Sequence, residues 1–194
     1  MQEQLILDLG CGKNKQKDAF GVEGVDLVWD LNNFPYPWEN NSVNRIYCHQ
    51  VIEHFNCEIY FNILREIHRI LKPGGIFSLR VPHAYCIGSI QDPTHKSFFT
   101  IRSIDYFSNT HPVSYYKATD FKFKIVKNFL DINCFYNWTR LTPFQRIINK
   151  NLSFCLNLIL KYSPTLCEYI IKIFPFWYVD IGWLLIKEDA TFDN

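Results

Sequence analysis

No Cys-x-x-Cys pair occurs among the seven cysteines, which stand singly at positions 11, 48, 57, 86, 134, 155 and 167. That lack, with the odd count, argues against a thiolate zinc site or a disulfide framework, and for a reducing, cytoplasmic compartment. Neither sign of charge is in excess: 20 basic residues face 19 acidic ones, a net charge of +1. A chain-wide basic surface for duplex nucleic acid is therefore not expected. Long apolar runs are missing too. The charge-free stretch 151–160 is about half of the ~20 residues that a membrane span needs, and residues 173–186 are broken by Asp180. Residues 1–8 carry Glu3 and Asp8 and do not read as a signal peptide. Internal repeats and low-complexity linkers are also lacking.

What is present is an ordinary globular composition, with 48% hydrophobic and 17% aromatic residues in 194. One domain spanning 1–194 is expected. Residues 4–9 form a short apolar run (Leu5, Ile6, Leu7, Leu9) that ends in Gly10, Cys11 and Gly12, a strand entering a turn. Asp8 lies near its end, and ligands bind beyond the carboxyl ends of strands in open α/β sheets. Further strands are expected at 19–23, 25–29, 44–49, 76–81, 121–132 and 177–187. Residues 32–41 read as a loop around Pro35 and Pro37.

The spacing predicts a helix over 58–71, with Tyr60, Leu64, Ile67 and Leu71 on one face and Asn62, Arg65, Glu66 and Arg69 opposite. Pro73, Gly74 and Gly75 stop it. Residues 83–118 read as a turn-rich insertion. A second helix is expected over 144–160, within a helical cap at 133–175, its stripe Ile147, Ile148, Leu152, Cys155, Leu156 and Ile159 packed on the domain. Residues 121–172 hold 8 basic and 2 acidic residues. Arg146, Lys150, Lys161 and Lys172 flank the stripe, a pattern that also fits peripheral contact with a membrane surface.

Gly10-x-Gly12 after a strand is by itself weak. A nicotinamide site needs a third glycine at a helix start, and Lys15 stands there instead. The ordered set of words is far more specific: Leu5 to Gly12; Trp29, Asp30 and Leu31; Pro35, Tyr36, Pro37 and Trp38; Val51, Ile52, Glu53 and His54; and Leu71, Lys72, Pro73, Gly74 and Gly75. This set, over residues 5–83, resembles the class I S-adenosylmethionine-dependent methyltransferases, and most closely their small type-11-like domains.

The resemblance implies a Rossmann-like, doubly wound α/β sheet. It would be mostly parallel, with an antiparallel last strand and a helical insertion between the last two strands. It implies S-adenosylmethionine as cofactor and S-adenosylhomocysteine as product. Asp8, Gly10 and Gly12 would lie under the methionine part. The ribose hydroxyls would go to an acid after the second strand, where Glu23 and Asp26 compete. Glu23 is favoured, because Asp26 leaves only four residues before Asp30 and parallel strands need a crossover. Asp30 and Leu31 would face adenine, and His49 and Gln50 the sulfonium side.

His83 and His95, in Val81-Pro82-His83 and in the word from Asp92 to Phe99, are the candidate catalytic bases for an oxygen or nitrogen acceptor. Each also has a plain structural reading, as a turn or loop residue. His54 reads first as a helix-start residue. His49, His54 and His83 fit no zinc spacing, so no metal is expected. The implied function is methyl transfer to a small-molecule, sugar or lipid-linked acceptor. The alternative is a non-catalytic binding or partner subunit of the same fold.

Overall fold

The computed structural model describes residues 4–11, 22–24, 29–108, 120–134, 141–174 and 178–187. Six strands, β1 (Ile6–Leu9), β2 (Val22–Gly24), β3 (Val43–His49), β4 (Leu71–Pro82), β5 (Phe123–Asn133) and β6 (Tyr178–Lys187), form one sheet in the order β2-β1-β3-β4-β6-β5. β1 to β4 pair in parallel, and β6 runs antiparallel to both β4 and β5. The chain leaves β1 for β2 on one side, then crosses to β3 on the other. The switch point of this doubly wound sheet therefore lies between the carboxyl ends of β1 and β3. Both strands are dense in buried side chains: Leu7, Leu9, Val43, Ile46 and Cys48 are fully enclosed, as strands covered on two faces should be.

Helix α1 (Cys57–Ile70) starts where Asn56 accepts a hydrogen bond from the Ile59 amide at 3.0 Å, and it buries Ile63, Leu64, Ile67 and Ile70. The stop at Pro73, Gly74 and Gly75 takes the form of a bulge. Val43 pairs with Leu71 and Arg45 with Ile76, so residues 72–75 loop out of the ladder, with Gly74 left-handed at φ 71°. The run expected as a strand at 25–29 falls largely outside the described residues, and Trp29 and Asp30 carry no strand pairing.

Helices α3 (Pro143–Tyr162) and α4 (Pro164–Ile173) lie between β5 and β6 in the chain, after the short α2 (Ile87–Gln91). α3 meets the sheet in an unexpected orientation. Among the described residues β5 is an edge strand, with backbone groups that no further strand satisfies. Asn157 covers Leu130 by accepting from its amide (2.9 Å) and donating to its carbonyl (2.7 Å). Ser153 accepts from the Ile132 amide, and Asn149 from the Cys134 amide at 3.0 Å. Four helical residues rise about 6.0 Å and two strand residues about 6.8 Å, so steps of four on α3 keep pace with steps of two on β5.

This polar seam shifts the buried face only in part from the expected stripe: Leu152 and Ile159 still pack against the core and Ile148 is half-buried. Leu156 and Leu160 are buried, whereas Ile147 and Cys155 face solvent with Phe144, Phe154 and Leu158. Expectation and structure differ here because a strand edge demands hydrogen bonds before it demands hydrocarbon.

His68 carries a testable consequence of the packing. Its ring lies 5.4 Å from that of Phe121 and 5.2 Å from that of Phe123. Burial, then the charge of Lys187, lowers its pKa from 6.5 to about 4. The unfolded chain takes up a proton below pH 6.5 that the folded one refuses until near pH 4. Stability present above pH 6.5 is thus lost as pH falls through that window. The loss is at most about 3 kcal/mol, and less after allowance for solvent screening. In His68→Phe, urea melts between pH 7 and 4 should show a flatter fall than wild type; an unchanged slope would mean that His68 stays solvated.

Candidate functional site

Beyond the carboxyl ends of the parallel strands, two left-handed residues stand on neighbouring strands: Gly10 after β1 (φ 69°) and Gln50 after β3 (φ 57°). A non-glycine residue in that region is held by its surroundings and marks a functional candidate. The Gln50 amide donates to the Arg80 carbonyl at 2.8 Å, and its side chain lies close enough to Asp180 to favour that carboxylate's charged form. Arg80 in turn pairs with Asp180 at 3.1 Å and with Asp131, so β4, β6 and β5 are tied together at this edge. Burial raises the Asp180 carboxyl, and Arg80 opposes that rise.

Asp8, at the end of β1, is buried and in register with Tyr47 on β3 and Gly24 on β2. Glu23 lies one residue earlier in β2, opposite Leu7. Gly12 and Asp26 lie outside the described residues. At Gly10 a Cβ would come within 2.3 Å of Val51 Cγ2. The glycine is therefore required by its left-handed turn and by the packing of Val51 across the gap between β1 and β3, whatever binds above it.

The loop that carries Asp30 and Leu31 is anchored from below. Leu31 is buried, and its carbonyl accepts from the Tyr36 hydroxyl at 3.2 Å. The Tyr36 amide donates to Glu66 Oε2 at 2.6 Å, and Arg69 forks onto the same carboxylate at 2.9 and 2.7 Å. Arg69 also donates to the carbonyls of Trp38 and Tyr36 and to Asn40. Burial pushes the Glu66 carboxyl upward, but these bonds and the Arg69 charge outweigh it and hold it below its usual value. Asp30 is exposed. Its Oδ1 accepts from the backbone and side-chain amides of Asn32, both at 2.9 Å, which keeps its carboxyl low.

The structure separates the histidines. His49, at the end of β3, has Nε2 2.9 Å from Ser78 Oγ. His83 is fully enclosed. The Tyr85 amide donates to its Nδ1 at 3.2 Å, so the proton sits on Nε2, which faces Glu168 Oε2 at 2.9 Å. Glu168 Oε1 accepts from the Ile101 amide at 2.7 Å. Both ring nitrogens are engaged, which leaves none to take a substrate proton and makes His83 a pin between β4 and α4. Glu168, 85 residues away on a different element, gave no signal in the sequence. On the outer side of this pin a cleft of about 400 Å³ is lined by Tyr85, Thr100, Arg102, Thr165, Glu168, Tyr169 and Lys172. Two cations and two phenols thus face one space.

His95 lies beside His54, ring centroids 4.8 Å apart, and both adjoin Glu53. Glu53 is 1% exposed, and neither carboxylate oxygen has a hydrogen-bond partner among the described residues. Burial raises its pKa from 4.5 to about 8, with the Asp180 and Asp92 charges adding to the rise and the nearby amides of Glu53 and Val51 opposing it. His54 is held below its usual value, first by burial and then by His95.

The arrangement is a doubly wound sheet with its switch point between β1 and β3, an anchored loop carrying Asp30 and Leu31, and an antiparallel β6. It defines the class I S-adenosylmethionine-dependent methyltransferase fold. Residues 13–79 match the family model described as a methyltransferase domain. No curated protein sequence matches. Among solved structures, the chain is similar to an S-adenosylmethionine-dependent methyltransferase from Archaeoglobus fulgidus, at 16% identity and TM-score 0.53, over 96% of this chain and 87% of that one. It is also similar to the [4+2]-cyclase SpnF, at 17% identity and TM-score 0.53, over 97% of this chain and 77% of that one. A third is phosphoethanolamine N-methyltransferase 2 from Haemonchus contortus, at 16% identity and TM-score 0.51, over 96% of this chain and 49% of that one. The chain spans about half of that last protein. The chain shares the class I methyltransferase fold of these structures, and residues 13–79 match a methyltransferase-domain model.

Proposed function

We propose that the protein binds S-adenosylmethionine and transfers its methyl group to an oxygen or nitrogen of an acceptor. The observation that carries this reading is the pair of left-handed turns at Gly10 and Gln50, on either side of the sheet's switch point, within a fold shared with S-adenosylmethionine-dependent enzymes. The groups available fit the cofactor. Asp8 supplies a buried carboxylate, and Asp30 with Leu31 a loop edge that combines a polar and an apolar residue. Glu23, in ladder register opposite Leu7 within β2, is the candidate favoured here for the ribose. The missing side chain at Gly10 is explained by Val51 and adds nothing to the fit. When bound, the cofactor supplies an electrophilic methyl group. This chain's residues supply position, which is worth roughly 7–11 kcal/mol of such barriers.

The cleft beside Glu168 is the proposed acceptor site. Arg102 and Lys172 favour an acceptor that bears an acidic group, with Tyr85 and Tyr169 packed against its apolar part. The Haemonchus contortus enzyme is named as a complex with phosphomonomethylethanolamine and S-adenosylhomocysteine, a phosphate-bearing acceptor of this general class.

The outward face of α3 and α4 favours a lipid-linked form. Phe144, Ile147, Phe154, Leu158, Tyr162 and Leu166 are exposed together, with Arg146, Lys150 and Lys161 exposed beside them. No helix among the described residues is long and apolar enough to cross a membrane.

Calorimetric titration with S-adenosylhomocysteine, followed by transfer of labelled methyl to candidate acceptors, tests the reading. Glu23→Ala should weaken cofactor binding about tenfold or more, and by more than Asp26→Ala does. Binding without transfer to any acceptor would favour the non-catalytic subunit. Flotation with anionic vesicles, lost at high salt, would support the lipid-linked form; no flotation would return the choice to a soluble acceptor.

A further inference from the structure

Most of the molecule's ionisable clusters are internally settled. Arg80 has its two carboxylates, Glu66 its arginine and His83 its glutamate. Glu53 is the exception: a buried carboxylate whose two oxygens have no partner among the described residues. An ionised carboxyl in such a place is costly unless it is paired or binds a metal. Its neighbours are two imidazoles, and one ligand atom from each of Glu53, His54 and His95 lies within 4.8 Å of the others.

The hydrogen bonds around those rings fix where their protons are. His95 Nδ1 lies 2.8 Å from the Ser89 carbonyl, which can only accept, so Nδ1 carries the proton. His54 Nδ1 lies 2.9 Å from Thr94 Oγ1. That hydroxyl gives its own proton to Asp92 Oδ1 at 2.6 Å, so it too can only accept from the ring. Both Nε2 atoms are left with a lone pair. An Nδ1–H held by a carbonyl or hydroxyl, with Nε2 open, is how metal-binding histidines are oriented. Asp92 Oδ2 stands 3.9 Å from His95 Nε2, available to an ion or to a water on it.

We propose that Glu53, His54 and His95 form a binding site for a divalent first-row transition ion, of which Zn²⁺ is the fitting probe. Two imidazoles and one carboxylate, with a further position open to solvent, is the donor set of open zinc and iron sites. Ligands of a tetrahedral zinc with bonds near 2.0–2.1 Å sit roughly 3.3 Å apart, so closing the site requires a contraction of about 1.5 Å. The Glu53 carbonyl already accepts from the amides of Lys96 at 2.7 Å and Ser97 at 3.0 Å. These bonds clamp the turn that carries Glu53 and His54 to the loop that carries His95. The ion would complete that clamp and neutralise the buried carboxylate.

The test uses full-length protein treated with a chelator and dialysed, then titrated with Zn²⁺ by calorimetry and with Co²⁺ by visible absorption. One equivalent should bind, with the weak absorption of a nitrogen and oxygen ligand set rather than thiolate charge transfer. Glu53→Gln and the double variant His54→Ala/His95→Ala should each lose at least about a hundredfold in affinity. His54 is half-exposed, so His54→Ala alone should fold and still lose affinity. Nitrogen chemical shifts give a readout that folding defects do not mimic: Zn²⁺ should shift the Nε2 signals of both rings and leave Nδ1 protonated. No bound equivalent, binding unaffected by the substitutions, or a cobalt spectrum dominated by thiolate would overturn the site.

Discussion

Replacing Gly10 by alanine should destabilise the protein by about 2–5 kcal/mol. Two costs add. A left-handed conformation costs a residue with a Cβ roughly 1–2 kcal/mol, and Gly10 sits at φ 69°. The new methyl would also lie 2.3 Å from Val51 Cγ2, and forcing extra carbon into a packed interior costs typically 1–3 kcal/mol. Val51 is itself buried, so it cannot swing into solvent. The two costs separate in a double-mutant cycle measured by urea unfolding. In a Val51→Ala background the 2.3 Å contact is gone and only Val51 Cβ at 3.3 Å remains close, so Gly10→Ala should cost little beyond the conformational part. A coupling energy above about 1 kcal/mol is expected; additivity within about 0.5 kcal/mol would show that the turn relaxes by another route. S-adenosylhomocysteine titration of the folded Gly10→Ala/Val51→Ala protein then asks whether the cofactor needs the glycine for itself.

What the sequence made legible was largely local. Helix α1, expected at 58–71 and observed at Cys57–Ile70, was readable because its apolar residues recur at helical spacing and its stop follows at once. The doubly wound sheet with an antiparallel final strand was legible through the family resemblance that the ordered motifs from Leu5 to Gly75 carry. The orientation of α3 was legible only in part: Leu152, Leu156 and Ile159 do face the core, but Ile147 and Cys155 do not. Periodicity names an apolar face, but Asn149, Ser153 and Asn157 are drawn inward by the open edge of β5, which no pattern within the helix reveals. The site divided in the same way. Gly10, Asp8 and Gln50 lie on strand ends that the sequence marks. The pairing of His83 with Glu168 and the meeting of Glu53 and His54 with His95 join residues 85 and about 41 positions apart. His83 looked like a base because it follows β4, and its burial and double hydrogen bonding depend on α4. His54 looked like a helix-start residue because its partner ring arrives from a different loop.

The Glu66–Arg69 pair carries the second large effect, and there the consequence reaches the proposed cofactor loop. Glu66 accepts from the Tyr36 amide and from two nitrogens of Arg69, while Arg69 fastens the carbonyls of Tyr36 and Trp38. The side chains are largely shielded, at 11% and 27% exposure. Removing one partner of such a pair leaves the other charge uncompensated, a loss of about 3–5 kcal/mol for fully buried pairs and nearer 2–4 for this half-shielded one. Glu66→Leu should therefore lower stability by that amount, and Glu66→Gln by less, because an amide oxygen can still accept from Tyr36. The double variant Glu66→Leu/Arg69→Met removes the orphaned guanidinium but also abandons two loop carbonyls, so only part of the stability should return. Tyr36 also holds the Leu31 carbonyl through its hydroxyl, so loosening its backbone frees the segment that carries Asp30 and Leu31. S-adenosylhomocysteine affinity should fall along with stability in Glu66→Leu and stay near wild type in His68→Phe, a substitution on the same helix. Equal affinity in all three proteins would separate residues 30–31 from cofactor binding, and would leave the Glu66 network a purely structural anchor.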